Sequence, residues 1–146
     1  MGLIKAFNQP SFGNSLFQKP IGQGSLITLT TSSSITANNY DSLRLDGTNY
    51  VVPVGKKLTI IRIGRMTNAA SGSQFNFGEA TAGANNSGSA PSGYTVKFAG
   101  GGGGESTTNN IVGYDVSLEF TAGKYPVAQV VGAAGNCYVV GYLENV

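Results

Sequence analysis

The amino-acid sequence predicts an all-β fold, a jelly-roll-like antiparallel β-sandwich of about eight strands with an extended N-terminal arm. From Ser25 onward the apolar residues recur with period two, which is typical of strands that bury one face. Clusters of Gly, Asn, Ser and Pro separate these apolar runs and predict turns. No long segment keeps a helical apolar period free of Gly or Pro, so we expect almost no helix. A closed barrel is the alternative arrangement of the same strands.

The chain divides into an N-terminal arm, residues 1–24, and a sandwich domain, residues 25–146. The candidate strands of the domain are, in chain order, 26–31, 50–54, 58–63, 74–77, 94–98, 116–120, 127–131 and 137–143. The run 58–63 carries apolar side chains at both alternating sets of positions, so we expect that strand to be covered on both faces. Gly- and Pro-containing turns are expected at 53–55, 122–124 and 132–136.

The hydrophobic core is expected to come from the inward positions of these strands. Its members are Ile27, Leu29, Val52, Leu58, Ile60, Phe75, Phe77, Val96, Phe98, Leu118, Phe120, Val130, Val139 and Leu143. If Leu118 is buried, a Leu118→Ala change should lower the free energy of unfolding by about 2 to 5 kcal/mol. Cys137 belongs to an apolar run, and no His exists to act as its base, so we expect a buried thiol that behaves as a small hydrophobe.

The N-terminal arm combines large apolar residues with Pro10 and Pro20, which forbid a regular helix and disfavour a central strand. Its candidate partner-binding residues are Leu3, Ile4, Phe7, Phe12, Leu16, Phe17 and Ile21. An extended apolar strip requires cover. One interpretation is a clasp folded over its own sandwich. The other, which we favour, is an arm that is ordered only against a neighbouring chain, so that deleting residues 1–24 leaves a folded domain that no longer joins its assembly.

The composition argues against several classes of function. The chain has 146 residues, no His, one Cys and 11% charged residues. Because the commonest general base and metal ligand is absent, we expect no enzymatic activity, no cofactor and no metal site. The net charge of +2 comes without a basic stripe, so nucleic acid is not an expected partner. The sequence lacks an apolar run of about 20 residues and a signal-peptide core, so we expect a cytoplasmically made chain with no membrane partner.

Two pairs of acidic residues are candidates for chemistry. Asp41 and Asp46 could hold calcium with loop carbonyls, but no Asp-x-Asp-x-Asp-Gly pattern is present, so we interpret both as solvated turn residues. Asp115 and Glu119 share one face of a strand and would lie about 13 Å apart at roughly 3.3 Å per residue. That separation is wider than the spacing of paired carboxylates in glycosidases.

Two long loops, 80–92 and 100–110, are rich in small and polar residues and are expected to be exposed and mobile. The glycine run 100–104 could cradle a phosphate, but Glu105 follows it and repels anions, so we expect a flexible surface loop. Seven tyrosines keep a surface glycan open as an alternative ligand. Tyr40 and Tyr114 are the more loop-like of these, although neither has a second aromatic residue nearby in sequence.

Two phrases of the sequence resemble those of small jelly-roll structural proteins of tailed bacteriophages. Residues 50–60, Tyr-Val-Val-Pro-Val-Gly-Lys-Lys-Leu-Thr-Ile, place an apolar strand before a Val-Pro-x-Gly-Lys corner and a second apolar strand. Residues 136–144, Asn-Cys-Tyr-Val-Val-Gly-Tyr-Leu-Glu, look like the closing strand of the same proteins. The resemblance implies a virion component, either a capsid decoration (cement) protein or a fibre, spike or tail knob. Such proteins are frequently trimers and clasp neighbours with terminal extensions.

The expected function is therefore that of a non-enzymatic virion protein that forms a homotrimer and clasps major capsid subunits. The composition agrees, because it is that of an extracellular β-protein without disulfides or a signal peptide, and a virion protein is assembled in a reducing cytoplasm. The alternative is a carbohydrate-binding module or a receptor-binding knob, which would depend on loop tyrosines and the two Gly-rich loops rather than on the arm.

Overall fold

A computed structural model describes residues 24–32, 34–67, 74–101 and 110–146. Within these ranges the chain is all-β, and its two antiparallel sheets form a sandwich, which confirms the predicted fold class. The seven apolar residues assigned to partner binding fall in the stretch 1–23, so that prediction lies outside the described residues.

Ten strands are described. Their bounds are β1 Ser25–Thr30, β2 Tyr40–Ser42, β3 Arg44–Leu45, β4 Thr48–Asn49, β5 Lys56–Thr67, β6 Gln74–Ala80, β7 Thr95–Gly101, β8 Asn110–Thr121, β9 Tyr125–Val131 and β10 Gly135–Asn145. The six-stranded sheet has the order β4-β3-β1-β10-β5-β8, and the four-stranded sheet has the order β2-β9-β6-β7. Apart from the small hairpins β3–β4 and β6–β7, the chain crosses from one sheet to the other between successive strands, and this wiring is that of a jelly roll.

The prediction of a strand at 50–54 is wrong. This stretch is extended but joins no ladder; instead, Val52 N–H donates to Lys124 O at 3.0 Å and Gly123 N–H donates to Val52 O at 2.8 Å. Pro53 has no N–H to give a neighbouring strand. The stretch therefore braces the β8–β9 turn. Conversely, the hairpin β3–β4 was not predicted, although Asp46 and Gly47 at its tip both adopt the positive φ (50° and 82°) that such a two-residue turn requires.

Most of the predicted core is confirmed. Fully buried members are Leu29, Val52, Leu58, Ile60, Phe75, Phe77, Phe120, Val130 and Val139, and Ile27, Phe98, Leu118 and Leu143 are partly buried against them. Val96 is the exception, since it is 46% exposed. The register of β7 against β6 shifts beside it, so that Phe98 and Val96 face consecutive residues of β6 and Lys97 bulges out of the period-two pattern. Core residues that the sequence did not indicate are Ile35, Leu43, Tyr50, Ile63, Ala128 and Cys137.

A second irregularity makes Gly141 indispensable to the six-stranded sheet. The register of β10 against β5 shifts between Val140 and Gly141. A Cβ atom on Gly141 would lie 2.5 Å from Thr59 O and 3.1 Å from Ile60 Cα. We expect Gly141→Ala to lower the free energy of unfolding by about 2 kcal/mol or more, because backbone atoms must move to make room.

Gly113→Ala is the matched control for this change and is measured in the same urea titration. Its Cβ would meet only the Arg62 guanidinium, at 3.0 Å, and that side chain is 54% exposed and free to shift. Gly113→Ala should change the free energy of unfolding by less than about 0.5 kcal/mol. Equal effects of the two alanines would contradict this account of the bulge.

Candidate functional site

The outer face of the six-stranded sheet carries a continuous apolar group. Along β1, β5 and β10 the core-facing residues alternate with residues that point away from the sandwich. Five of these outward residues are apolar, and we call them the outer patch: Leu26, Met66, Tyr138, Val140 and Tyr142. Leu26 is opposite Tyr142 in the β1–β10 register, and Met66 follows the residue opposite Tyr138 by two positions. The five side chains therefore lie side by side on one surface.

Exposure distinguishes the outer patch from an ordinary sheet surface. Leu26 is 62% exposed, and Met66 and Tyr138 are each 37% exposed. The solvent face of an antiparallel sheet usually carries polar side chains, so several large apolar groups gathered there point to an interaction surface.

Tyr138 is held in place by the glycine opposite it. Gly64 pairs with Tyr138 across β5 and β10, and a Cβ on Gly64 would collide with the Tyr138 ring. The ring therefore lies flat across the glycine backbone and buries Gly64. This arrangement gives Tyr138 a fixed orientation at little entropic cost on binding.

A groove of about 320 Å³ opens at one end of the outer patch. Its lining residues are Thr30, Thr31, Ser32, Met66, Asn136, Cys137 and Tyr138. The Oδ1 atom of Asn136 is buried and accepts no hydrogen bond. The groove could receive an apolar side chain together with a donor for this oxygen.

Charged residues lie beside the outer patch as neutralised pairs. Arg62 and Asp115 are 3.4 Å apart, and Lys57 approaches Glu119 at 2.9 Å and Glu144 at 3.6 Å. The hydrogen bond to Glu119 raises the pKa of Lys57 above its usual value. These contacts show that Asp115 and Glu119 face separate cations and do not form a catalytic pair.

The interpretation of Asp41 as a solvated turn residue is wrong, because Asp41 lies on β2 and is 1% exposed. Its Oδ2 accepts hydrogen bonds from Ser32 N–H at 3.2 Å and Ser32 Oγ at 3.1 Å. Its Oδ1 accepts from Asn86 N–H at 3.0 Å and from Arg44 at 3.2 Å. Asp46, by contrast, is exposed at the β3–β4 turn, as expected. Across the described ranges no group of three or more His, Cys, Asp or Glu comes together as a metal site.

The Asp41 cluster also corrects the prediction for the loop 80–92, which is anchored rather than free. Ala84 is 4% exposed, and its N–H donates to Ser42 Oγ at 2.8 Å. Asn85 Oδ1 accepts from Arg44 at 3.0 Å, and Asn86 Oδ1 accepts from the Thr36 N–H at 2.9 Å. Of the second predicted loop, Gly100 and Gly101 belong to β7, Asn110 begins β8, and residues 102–109 lie outside the described residues.

The two tyrosines chosen as loop-like are strand residues. Tyr40 lies on β2 in edge contact with Tyr94, their ring centroids 5.0 Å apart, and Tyr114 lies on β8 with its ring 4.9 Å from that of Phe98. All four rings are partly buried. Burial also raises the pKa of the Tyr94 hydroxyl. These rings pack against the sandwich, so the geometry does not favour them as a sugar-stacking platform.

Cys137 is buried as predicted, and burial strongly raises the pKa of its thiol. Two features were missed by the sequence reasoning. Arg65 is fully buried, whereas a positive residue in a strand normally indicates the solvent face. The outer patch was also missed, although β10 carries apolar residues at both alternating sets of positions, which was its available signal.

The comparisons with known proteins give a fold likeness alone. No family model matches the sequence, and no curated protein is similar to it. Where the structure is described, no helix is long and apolar enough to cross a membrane. Among solved structures, the chain is similar to one described as "Structure of Eiger TNF from S. frugiperda", with a TM-score of 0.47 and 10% sequence identity, covering 83% of this chain and 92% of that chain. The assignment of the jelly roll rests on the strand order given above.

Proposed function

We propose that this chain is a non-enzymatic structural protein of a virion, a capsid decoration protein. Copies of the chain associate through the outer patch into a homotrimer, and residues 1–24 of each copy clasp major capsid subunits. The observation that carries the proposal is the exposed apolar surface on β1, β5 and β10, which a lone chain would leave in water.

A second copy of this chain is the occupant that best fits the outer patch. In a homo-oligomer the same residues meet around a symmetry axis, so a surface with unpaired charge of one sign would repel itself. The five residues of the outer patch carry no charge, and the cations beside it are paired with carboxylates. Oriented tyrosines surrounded by aliphatic side chains are typical of the centre of such interfaces.

The virion part of the proposal is supported by the two phrases that resemble phage jelly-roll proteins. In the fold, residues 136–144 lie in β10, which stands between β1 and β5 at the middle of the six-stranded sheet and carries three members of the outer patch. Residues 50–55 brace the β8–β9 turn. The arm, with its three phenylalanines, remains the proposed contact to the capsid.

A charge placed in the outer patch should dissociate the oligomer. We expect Tyr138→Glu to sediment as a monomer of 15.0 kDa, whereas the unmodified chain sediments near three times that mass. The reason is that copies of the new carboxylate would meet in a surface that excludes water. Circular dichroism of the variant checks that the sheets persist.

Val96→Glu is the matched control, since Val96 is an exposed valine of β7 in the other sheet. This variant should keep the mass of the unmodified chain. A Tyr138→Glu chain that keeps its oligomeric mass would contradict the assignment of the interface. The virion assignment is tested separately, with an antibody against the full chain that should label the outside of intact virions from the source of the sequence. Label confined to particle-free fractions would refute it.

A further inference from the structure

Arg65 is the most unusual side chain among the described residues. It lies on β5, two residues before the strand ends, and it is 0% exposed. None of its three guanidinium nitrogens, Nε and both terminal groups, has a hydrogen-bond partner. The other two arginines of the chain both contact carboxylates, Arg44 at 3.2 Å from Asp41 and Arg62 at 3.4 Å from Asp115.

An unpaired buried guanidinium is strongly unfavourable. Arginine keeps its charge at every pH at which proteins fold, so it cannot escape by losing a proton. Burying a charge without a partner costs several kcal/mol, and five N–H donors lose their hydrogen bonds to water at the same time. A folded chain that retains this residue in its interior therefore needs a counter-group for it.

The neighbours of Arg65 in the sheet do not supply that group. Its register partners are Cys137 on β10 and Val112 on β8. Burial raises the pKa of the Cys137 thiol, so this thiol stays protonated and brings no negative charge. Beyond Cys137, the Thr31 hydroxyl is bonded to the Cys137 backbone, accepting from its N–H at 3.1 Å.

The acidic residues of the described ranges are committed elsewhere. Asp41 pairs with Arg44, Glu79 with Lys97 and Lys124, Asp115 with Arg62, and Glu119 and Glu144 with Lys57. Asp46 is exposed at the β3–β4 turn. No described carboxylate is therefore left for Arg65.

We infer that Arg65 is the binding group of an internal oxyanion site at the end of the sandwich where β5, β8 and β10 run side by side. The planar fork of a guanidinium matches the two oxygens of a carboxylate or a phosphate, and such charge-assisted bonds are the strong ones. An oxyanion there neutralises the buried charge and satisfies its donors.

This oxyanion has two possible sources. One is a free anion taken up from solution. The other is the carboxylate of Glu105, the seventh acidic residue of the chain, which belongs to the stretch 102–109 outside the described residues. The two sources share one chemistry at Arg65, and the following experiments separate them.

The first experiment follows the Nε–H resonances of the three arginines in the unmodified, ¹⁵N-labelled chain. Sodium phosphate is titrated against sodium chloride at matched ionic strength. With a free anion as the source, the Arg65 resonance shifts to a plateau, while those of Arg44, bonded to Asn49, and of exposed Arg62 hold their positions. With Glu105 as the source, phosphate leaves the Arg65 resonance unchanged and Glu105→Gln moves it.

The second experiment is thermal unfolding of the full chain with Arg65→Met, and with Arg62→Met as the matched control on the same strand. With a free anion as the source, phosphate at about 100 times its dissociation constant raises the Tm of the unmodified and Arg62→Met chains by on the order of 10 °C. Arg65→Met should show only the smaller general effect of salt. With Glu105 as the source, Glu105→Gln lowers the Tm of the unmodified chain but leaves that of Arg65→Met unchanged.

The inference is overturned if the Arg65 resonance responds to neither phosphate nor Glu105→Gln. Equal phosphate increments in all three chains, together with additive effects of Glu105→Gln and Arg65→Met, would overturn it as well. If Arg65→Met does not fold, the resonance experiment decides alone, because it uses the arginine in place.

Discussion

Replacing Phe77 with alanine will lower the free energy of unfolding by about 3 to 5 kcal/mol. Phe77 is 0% exposed at the centre of the core. Its ring stacks on Phe75 with centroids 6.5 Å apart and meets the edge of Phe120 at 5.6 Å. Alanine removes both ring contacts and leaves a cavity that these rigid neighbours cannot fill. The expected loss exceeds that for Leu118→Ala, because Leu118 is only partly buried.

Equilibrium urea unfolding measures this loss, and Val96→Ala provides the comparison. Val96 is an apolar strand residue too, but it is 46% exposed, so its truncation should change the free energy of unfolding by less than about 1 kcal/mol. A Phe77→Ala effect as small as that of Val96→Ala would mean that the core is not packed around this ring.

Asp41→Asn will lower the free energy of unfolding by about 3 kcal/mol, the range expected when one partner of a buried ion pair is removed. The Asp41 carboxylate accepts from two backbone N–H groups, a Ser32 hydroxyl and the Arg44 guanidinium. The amide of asparagine turns an NH₂ group toward some of these donors, so at least one of them is left without an acceptor. The same change should loosen the loop 80–92, because Asn86 N–H loses its acceptor.

Asp46→Asn is the control of equal charge change, since Asp46 is exposed at a turn where asparagine also tolerates positive φ. It should leave the free energy of unfolding within about 0.5 kcal/mol of that of the unmodified chain. Hydrogen exchange at Ala84 and Asn86 reports on the loop directly. Unchanged protection of these two amides in Asp41→Asn would contradict the anchoring of the loop by Asp41.

Much of the sandwich could be predicted from local pattern. Strands such as β6, β8 and β9 alternate or carry long apolar runs between Gly-rich turns, and burial of one face is enough to define them. Short elements lack that signal. β2 is only Tyr40-Asp41-Ser42, and its place in the four-stranded sheet comes from its pairing with β9, a contact far away in sequence. The displacement of Val96 likewise depends on a register shift that no single strand reveals.

The candidate site was less accessible to sequence reasoning. An acidic residue followed closely by an arginine reads as a surface pair, and only the packing of the loop 80–92 over Asp41 makes it a buried anchor. The tyrosines of β10 could be assigned to a strand but not to a face, because both faces of that strand are apolar. Arg65 looked like a solvent-facing residue, and its burial follows from the position of β5 between β10 and β8.

The central claim is that copies of this chain join through the outer patch, and photo-crosslinking from position 138 tests it most directly. With p-benzoylphenylalanine in place of Tyr138 in the full chain, irradiation should give covalent dimers and trimers. Mass spectrometry should find the linked peptides in β1, β5 or β10 of a second copy. If irradiation at micromolar concentration yields only the 15.0 kDa chain, or links outside the six-stranded sheet, the claim is contradicted.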